Sequence, residues 1–379
     1  RQALFTKKFI FFCADCFPAY VDANTGDPIY SPRLFELENL ITLVVDSMGG
    51  DNAPHEIIKG AVEAVKEKQN LKVLLVGQKE VVEKELSAYD YPKERIEVIH
   101  ASEVIETGEP PVAAIKGKKD SSIVVGMKLV RKGEADAFVS AGSSGAILVG
   151  GTTIVGRIRG IERAPLAPMI PTKNGASLLI DCGANVDARS SHLVQFARMG
   201  SIYMEHVVGV KNPRVGIVNI GVEEEKGNAL VKETYPLLKE CKDINLIGSI
   251  EAREIPSGVA DVIVTEAFVG NVILKLYEGV GATLISKVKE GMMTTLRSKI
   301  GALLVKPALK STLKSFDSSQ YGGAPLLGLR GLVVKCHGSS KANEVKNSII
   351  QCISFKEQDI SEKIRENITV AVKKTEEEQ

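Results

Sequence analysis

The chain has 379 residues, which is long for one ordinary domain, and its 44% hydrophobic and 25% charged residues are the balance of a globular protein. A formal net charge of +1 gives no support to a general nucleic-acid binder, which is usually more basic. No continuous apolar run approaches the ~20 residues that a membrane-spanning helix needs.

Residues 1–40 differ in pattern from the rest of the chain. The segment 9–14 faintly resembles a signal peptide, but its apolar core is at the short limit. Cys13 and Cys16 form a CxxC without a second ligand pair nearby, which disfavours a zinc or redox site. The other four cysteines lie singly in apolar segments, which favours free thiols and a cytoplasmic location. We interpret 1–40 as an extension, a cloning or start-site artefact.

From residue 41 onward, apolar runs alternate with helical patterns. Strands are predicted at 41–46, 71–77, 96–100, 137–140, 177–181, 214–219, 245–250 and 262–265. Stretches such as 57–68, opened by Pro54, and 122–132 predict the helices between them. Strands that are apolar throughout and alternate with helices predict an α/β fold, with a parallel or mixed sheet covered on both faces.

The loops after these strands are rich in Gly, Asn, Asp and Ser. Because the carboxyl ends of parallel strands share one edge of the sheet, we expect these loops to form one anion site, although any single loop of this kind is often only a turn. The residues that we predict to bind phosphate or substrate are Asp46, Gly49, Gly50, Asp51, Asn52, Gly142, Ser143, Ser144, Gly145, Asp181, Asn219, Gly227, Asn271, Ser339 and Ser340.

Other kinds of site find less support. The five histidines are scattered without metal-ligand spacing, so no metal is predicted, and the acidic residues could hold Mg²⁺ without anything requiring it. A Ser-His-Asp hydrolase is disfavoured because no Gly-x-Ser-x-Gly elbow is present. His337 follows the apolar run 332–334 in a polar loop, where a structural and a functional role are about equally favoured.

The stretch 268–314 is predicted to be largely helical and basic. Eight basic residues against two acidic ones give it a net charge of +6, and Met292, Leu296, Ile300 and Leu303 recur at helical spacing. This pattern is typical of a core-packed or dimer-forming helix with a solvated lysine face, or of a surface for an acidic protein or an anionic membrane. The residues that we predict for such a surface are Lys287, Lys289, Arg297, Lys299, Lys306 and Lys310.

Seven motifs in order closely resemble the PlsX-type phosphate acyltransferases of bacterial phospholipid synthesis. They are VDSMGGDNAP, SAGSSGAIL, LIDCGANVDA, RVGIVNIGVEEEKGN, FVGNVILK, YGGAPLLGL and VVKCHGSS. The resemblance runs from about residue 41 to about 353, which we take as the α/β domain, leaving 354–379 as a C-terminal helix and charged tail. Seven ordered motifs are far more specific than any one of them.

The resemblance implies transfer of a fatty acyl group from acyl carrier protein to inorganic phosphate. The acyl-phosphate product would feed a membrane glycerol-3-phosphate acyltransferase that makes lysophosphatidic acid. It further implies a fold like isocitrate and isopropylmalate dehydrogenases and phosphotransacetylase, a homodimer, and no cofactor or metal. The family usually has Asn-Thr at Ser143-Ser144 and Asp-Gly at Glu266-Ala267, and its Arg-Arg-Lys-Lys stretch reads Lys-Gly-Lys-Lys at 116–119.

For such a reaction we predict that His337 acts as a base toward phosphate or as a donor to the oxyanion. Lys226 and Asn185 would add a charge and a hydrogen-bond donor, whereas Asp46 and Asp181 would orient neighbours, since bare carboxylates repel phosphate. The alternatives are a phosphotransacetylase-like enzyme that uses acyl-CoA and a non-enzymatic membrane scaffold. An NAD-dependent dehydrogenase is disfavoured because the acidic metal cluster and the arginine cluster that it needs are not found in the sequence.

Overall fold

The computed structural model describes residues 20–21, 28–29, 40–315 and 318–377. The chain divides into two compact units, 1–40 and 41–379. In the first unit, strand β1 (Tyr20–Val21) pairs antiparallel with β2 (Pro28–Ile29). The segment 9–14 and the pair Cys13 and Cys16 lie outside the described residues.

Strands and helices alternate through most of the second unit. Its strands are β3 (Ile41–Asp46), β4 (Leu71–Gly77), β5 (Ile96–His100), β6 (Ala137–Ser140), β7 (Met169–Thr172), β8 (Gly175–Ile180), β9 (Arg214–Asn219), β10 (Asn245–Glu251), β11 (Val262–Val264), β12 (Ala324–Pro325) and β13 (Leu332–Lys335). Its α-helices are α1 (His55–Glu67), α2 (Lys79–Leu86), α3 (Pro111–Gly117), α4 (Ser122–Lys132), α5 (Ser144–Gly150), α6 (Ser190–Tyr203), α7 (Ala229–Glu240), α8 (Ala267–Met292), α9 (Leu296–Ser315), α10 (Ala342–Glu357) and α11 (Ile360–Glu377).

The strands form two sheets. The first has the order β12-β13-β6-β3-β4-β5 and is parallel except for the pairing of β12 with β13. The second has the order β10-β9-β11-β8-β7 and is parallel except for the pairing of β7 with β8. The predicted α/β class with parallel strands is confirmed. In the first sheet the chain runs from β3 outward through β4 and β5, then returns to the other side of β3 as β6, and ligands commonly bind at such a reversal.

The central strands are buried on both faces, as their apolar sequences predict, whereas the edge strands β5 and β10 are partly exposed. One apolar cluster joins the two sheets: it contains Val45 and Val139 of the first, Leu178 and Ile217 of the second, and Phe196 of α6. The outer face of the first sheet carries a separate cluster, which includes residues of α4 and α5. A third covers the outer face of the second sheet. Full burial of each large aliphatic side chain contributes roughly 1.5–3 kcal/mol, so the shared cluster holds the two sheets as one unit.

Helices α8 and α9 leave most of their apolar side chains in solvent, although Ile273 and Leu274 near the start of α8 pack on the third cluster. Leu276 and Leu284 of α8 are each 64% exposed, and Leu303 of α9 is 70% exposed. The predicted helical stretch is therefore present, but the interpretation of it as a core-packed helix is wrong for the isolated chain. By length and composition, α8 would suffice to cross a membrane, which is weak evidence by itself and corrects the expectation that no segment reaches that length.

Candidate active site

Three loops meet at the carboxyl ends of the neighbouring strands β3, β6 and β13. We call the loops 46–54, 140–146 and 335–340 together the glycine cleft. The Ser140 hydroxyl donates to Asp46 Oδ2 at 2.6 Å, and the Gly142 amide donates to Ser140 Oγ at 3.0 Å. The Asp51 amide donates to the Gly338 carbonyl oxygen at 2.8 Å. The predicted loops after β3, β6 and β13 are thus joined by hydrogen bonds.

Two glycines let these loops approach closely. A Cβ atom on Gly49 would lie 2.3 Å from Asp46 Oδ2 and 2.7 Å from the Gly142 nitrogen. Gly50 has φ +103°, a left-handed conformation that favours glycine, and its Cβ would lie 3.0 Å from the Gly338 carbonyl oxygen. The backbone itself therefore forms this part of the cleft.

The loop 140–146 leads directly into α5. Ser143 caps this helix, because its Oγ accepts from the Ala146 amide at 3.4 Å, and the hydroxyl proton stays available to a ligand. Ser144 begins the helix and is exposed. Gly145 packs against Pro111, where a Cβ atom would lie 2.4 Å from Pro111 Cγ, so close packing accounts for this glycine.

The third loop contains His337, Ser339 and Ser340. His337 Nδ1 lies 2.8 Å from Ser339 Oγ and accepts from the Ser339 amide at 3.2 Å. An Nδ1 that accepts a backbone N–H carries no proton, so the neutral ring has its proton on Nε2. Asn52 Nδ2 donates to the carbonyl oxygens of Ser339 and Ser340 at 2.9 and 3.3 Å, which fastens this loop to the one after β3.

Two buried ionisable groups lie on the floor of the cleft. Burial raises the pKa of the Asp46 carboxyl, against the hydrogen bond from Ser140. Lys335, the last residue of β13, is 9% exposed, and burial lowers its pKa. We did not predict Lys335 from the sequence. Its spacing of two residues from the buried Val333 was the available signal, since alternate residues of a strand share a face.

A second group lies at the end of β8, in the other sheet. Asp181 accepts from the amides of Leu166, Ala184 and Asn185 and from Asn185 Nδ2, at 2.8–3.2 Å. It is fully buried, which raises its pKa. Asn185 Nδ2 also donates to the Ala164 carbonyl oxygen at 3.0 Å, so both of its amide protons are engaged. Asn271 Oδ1 would lie 3.9 Å from a Cβ atom on Gly183, in the same loop as Asp181.

The loop of Asp181 reaches the apolar cluster on the outer face of the first sheet, since Ala184 packs against that cluster. Asp181 and Asn185 therefore hold the backbone at this edge by hydrogen bonds, and the orienting role of Asp181 in the reaction stays a prediction. The donor role predicted for Asn185 would require one of its two hydrogen bonds to be exchanged, and it stays a prediction.

A third group, after β9, keeps its hydrogen bonds within the second sheet. Asn219 Nδ2 donates to the Lys226 carbonyl oxygen and to Ser249 Oγ, both at 3.2 Å, and Gly227 turns with φ +107°. The Lys226 ammonium is exposed and forms an ion pair with Glu223 at 2.8 Å. The described contacts do not bring this group to the glycine cleft, and its roles stay predictions.

No group of three or more His, Cys, Asp or Glu side chains within the described ranges is arranged to hold a metal ion. The amides, hydroxyls and single ammonium of the glycine cleft are instead suited to an anion.

Residues 41–363 match the family described as fatty acid synthesis protein. A phosphate acyltransferase of Alkaliphilus oremlandii is 52% identical over 327 residues, covering 86% of this chain and 97% of that protein. The chain belongs to this phosphate acyltransferase family. A phosphate acyltransferase of Clostridium novyi is 49% identical over 326 residues, 86% of this chain and 98% of that protein. The resemblance of the seven motifs is thereby confirmed, and the chain is an enzyme, a phosphate acyltransferase.

Solved structures of phosphotransacetylases have the same fold. The phosphotransacetylase of Streptococcus pyogenes superposes with a TM-score of 0.56 at 18% identity, covering 86% of this chain and all of that one. The EutD phosphotransacetylase of Staphylococcus aureus gives 0.52 at 16% identity, covering 85% and 97%. At such identities the likeness concerns the fold alone, and it agrees with the fold expected of a phosphate acyltransferase.

Proposed function

We propose that this phosphate acyltransferase transfers a fatty acyl group from acyl carrier protein to inorganic phosphate. The oxygen of monohydrogen phosphate attacks the thioester carbonyl, the C–S bond breaks, and the phosphate proton passes to the leaving sulfur. The products are acyl-phosphate and the free thiol of the carrier. The observation that carries the proposal is the glycine cleft, in which the Asp46–Ser140–Gly142 hydrogen bonds join the loops after β3 and β6 and the bond from the Asp51 amide to the Gly338 carbonyl oxygen joins the loop after β13.

The cleft supplies the donors that a phosphate dianion needs. Ser143 keeps its hydroxyl proton, and Ser144 is exposed at the start of the helical segment Ser144–Val155, where the helix N-terminus favours an anion. Asp46 and Asp181 face backbone amides and neighbouring side chains, which suits the orienting role predicted for them.

The hydrogen bonds of His337 favour one of the two roles predicted for this residue. Because Nδ1 accepts from the Ser339 amide, the neutral ring presents an Nε2–H, which can donate to the oxyanion of the tetrahedral intermediate. Loss of an oxyanion donor costs roughly 10²–10³ in kcat, so His337→Ala is expected to lower kcat by about that factor. A thiolate is a good leaving group, so no strong acid is required.

The deciding experiment supplies the purified chain with palmitoyl-acyl carrier protein and labelled phosphate. We expect labelled acyl-phosphate, trapped with hydroxylamine, at a rate well above that with acetyl-CoA or palmitoyl-CoA. A preference for acyl-CoA would favour the phosphotransacetylase-like alternative. Failure to form acyl-phosphate from any donor would overturn the proposal.

Helices α8 and α9 offer surfaces for the partners. Val272, Leu276, Val280, Leu284 and Val288 form an exposed ridge at four-residue spacing along α8, which suits a second copy of the chain. Arg297, Lys299, Lys306 and Lys310 on α9 stand beside the exposed Leu296, Leu303 and Leu304. We propose that α8 forms a homodimer contact and that α9 rests on anionic membrane from the cytoplasmic side, near the membrane acyltransferase that consumes the product.

Liposome flotation tests the membrane contact. Lys299→Glu with Lys306→Glu is expected to abolish flotation on anionic vesicles and to leave the activity on soluble acyl carrier protein intact, with Lys211→Glu as the exposed control. A rise in KM for acyl carrier protein without loss of flotation would instead assign these lysines to docking of the acidic carrier.

A further inference from the structure

A row of three polar side chains crosses the neighbouring strands β13, β6 and β3 beneath the glycine cleft. Lys335 is in register with Ser140, and Ser140 donates to Asp46. Two residues earlier in each strand stand Val333, Phe138 and Val44, all members of the apolar cluster on the outer face of the first sheet. Because alternate residues of a strand share a face, Lys335, Ser140 and Asp46 project from that same face where the strands end.

Lys335 is buried to an extent that lysine rarely reaches without a compensating charge. Among the described residues its ammonium donates one hydrogen bond, to the carbonyl oxygen of Cys336. An ammonium has three donors, so the others are free to meet a ligand. Asp46 is already occupied, since its two oxygens accept from Ser140 and from the Met48 amide.

We infer that the Lys335 ammonium is a phosphate ligand, which holds the acyl acceptor against the loop 140–146 of the glycine cleft. The inference rests on the proposed function, because it names the group that supplies positive charge to the phosphate site of that reaction. A dianion that approached this cleft without Lys335 would meet the carboxylates of Asp46 and Asp51 unopposed. The positive charge of Lys335 offsets these two carboxylates.

Protonation of Lys335 and phosphate binding are then coupled. Burial lowers the pKa of the ammonium, and the negative charges of Asp46 and Asp51 act in the opposite direction. A bound dianion favours the charged form, so phosphate affinity should fall as pH rises and the lysine of the free enzyme loses its proton. The KM for phosphate should rise with pH more steeply than the KM for the acyl donor.

The test compares Lys335→Gln, Lys335→Met and Lys335→Arg with Lys346→Gln. Lys346 is a matched control, a partly buried lysine that pairs with Glu67 at 2.9 Å on the helical layer away from the cleft. Steady-state assays give KM separately for phosphate and for the acyl donor. Thermal unfolding with and without inorganic phosphate measures binding with no acyl donor present, and so does not depend on turnover.

A charge-assisted hydrogen bond to phosphate corresponds to roughly ten- to hundred-fold in affinity. We expect Lys335→Gln and Lys335→Met to raise the KM for phosphate by that factor, to change the KM for the acyl donor less than about two-fold, and to lose the stabilisation by phosphate. Lys335→Arg should retain most of the stabilisation by phosphate. If both neutral variants keep their phosphate KM and stabilisation, or if both KM values rise equally, Lys335 is only a structural counter-ion and the inference is overturned. A wild-type protein that binds phosphate but forms no acyl-phosphate would sink the proposed function alone.

Discussion

Close approach of backbone to side chain at Gly49 makes this residue sensitive to a single added methyl group. A Cβ atom there would meet Asp46 Oδ2 and the Gly142 nitrogen, and both are held by hydrogen bonds to Ser140. We expect Gly49→Ala to destabilise the protein by about 1–3 kcal/mol and to lower kcat/KM for phosphate at least ten-fold. Urea unfolding and acyl-phosphate assays measure the two effects. Gly108→Ala is the control, because no heavy atom lies within 4 Å of its added Cβ, and an equal loss there would contradict the argument.

The buried carboxyl of Asp46 predicts a dependence of stability on pH. Burial raises its pKa, so the native state binds the proton more tightly than the unfolded chain does, and ionisation of Asp46 costs stability above the folded-state pKa. As pH falls through that pKa, the cost disappears. We therefore expect the difference in unfolding free energy between Asp46→Asn and wild type to shift in favour of wild type when urea titrations move from pH 7.5 down to about pH 4, near the ordinary pKa of an aspartate.

The variant Asp90→Asn, which removes an exposed carboxylate, serves as the control. A pH-independent difference for Asp46→Asn would contradict the assignment. Activity of Asp46→Asn should fall at both pH values, because the Ser140 hydroxyl then loses the acceptor that directs it and, through it, the Gly142 amide.

Single residues were predicted unevenly. The loops after β3, β6 and β13 could be assigned to one site because their Gly, Asn and Ser residues follow apolar runs, and parallel strands end together. Lys335 was not predicted, because a lysine at the end of an apolar run has the sequence pattern of a strand end that lies in solvent. Only the register of β13 with β6 brings it beside Ser140, and register is a tertiary property.

At the scale of elements, the apolar ridge of α8 predicts self-association. Leu276 lies at its centre and is 64% exposed. We expect the wild type to sediment as a dimer at micromolar concentration and Leu276→Glu to sediment as a monomer, since a charge on the ridge would have to be buried at the contact. Val208→Glu, at another exposed valine, should leave the dimer intact. A monomeric wild type, or a dimeric Leu276→Glu, would remove α8 from the contact.

The bounds of the strands and helices were predicted better than the identity of what packs against them. The strands 41–46, 71–77, 96–100 and 137–140 are observed at the predicted bounds, because runs of apolar, often β-branched residues ended by Gly or a polar residue leave little ambiguity. β7 and β12 went unpredicted; each contains a proline and lies at the edge of its sheet. The periodicity of 268–314 predicted helices but could not say what covers their apolar side, since a core, a partner and a membrane select the same pattern.

For the whole molecule, the sequence predicted a covered parallel sheet but did not divide it into two. The division decides which loops share a site: Asn219 and Lys226 follow a strand as Asp46 does, yet their strand belongs to the second sheet. Nothing in the local pattern distinguishes β9 from β3, because both are apolar and followed by Gly and acidic residues. β11 pairs with β8 on one side and with β9 on the other, and tertiary contacts that the local sequence pattern does not show determine this pairing.

The two sheets should nevertheless unfold together, because their covering helices interlock. Tyr203 of α6, which packs on the second sheet, meets Phe355 of α10, which packs on the first, with ring centroids 5.5 Å apart and both side chains buried. We expect Phe355→Ala to cost about 3–5 kcal/mol. Hydrogen exchange followed by mass spectrometry should detect equal loss of protection in peptides that cover β3 and β11. The control is Val208→Ala, which shortens an exposed side chain and should change neither the unfolding free energy nor the exchange protection. Loss confined to the peptides of one sheet would mean that the halves unfold separately, and then the glycine cleft would depend on the first sheet alone.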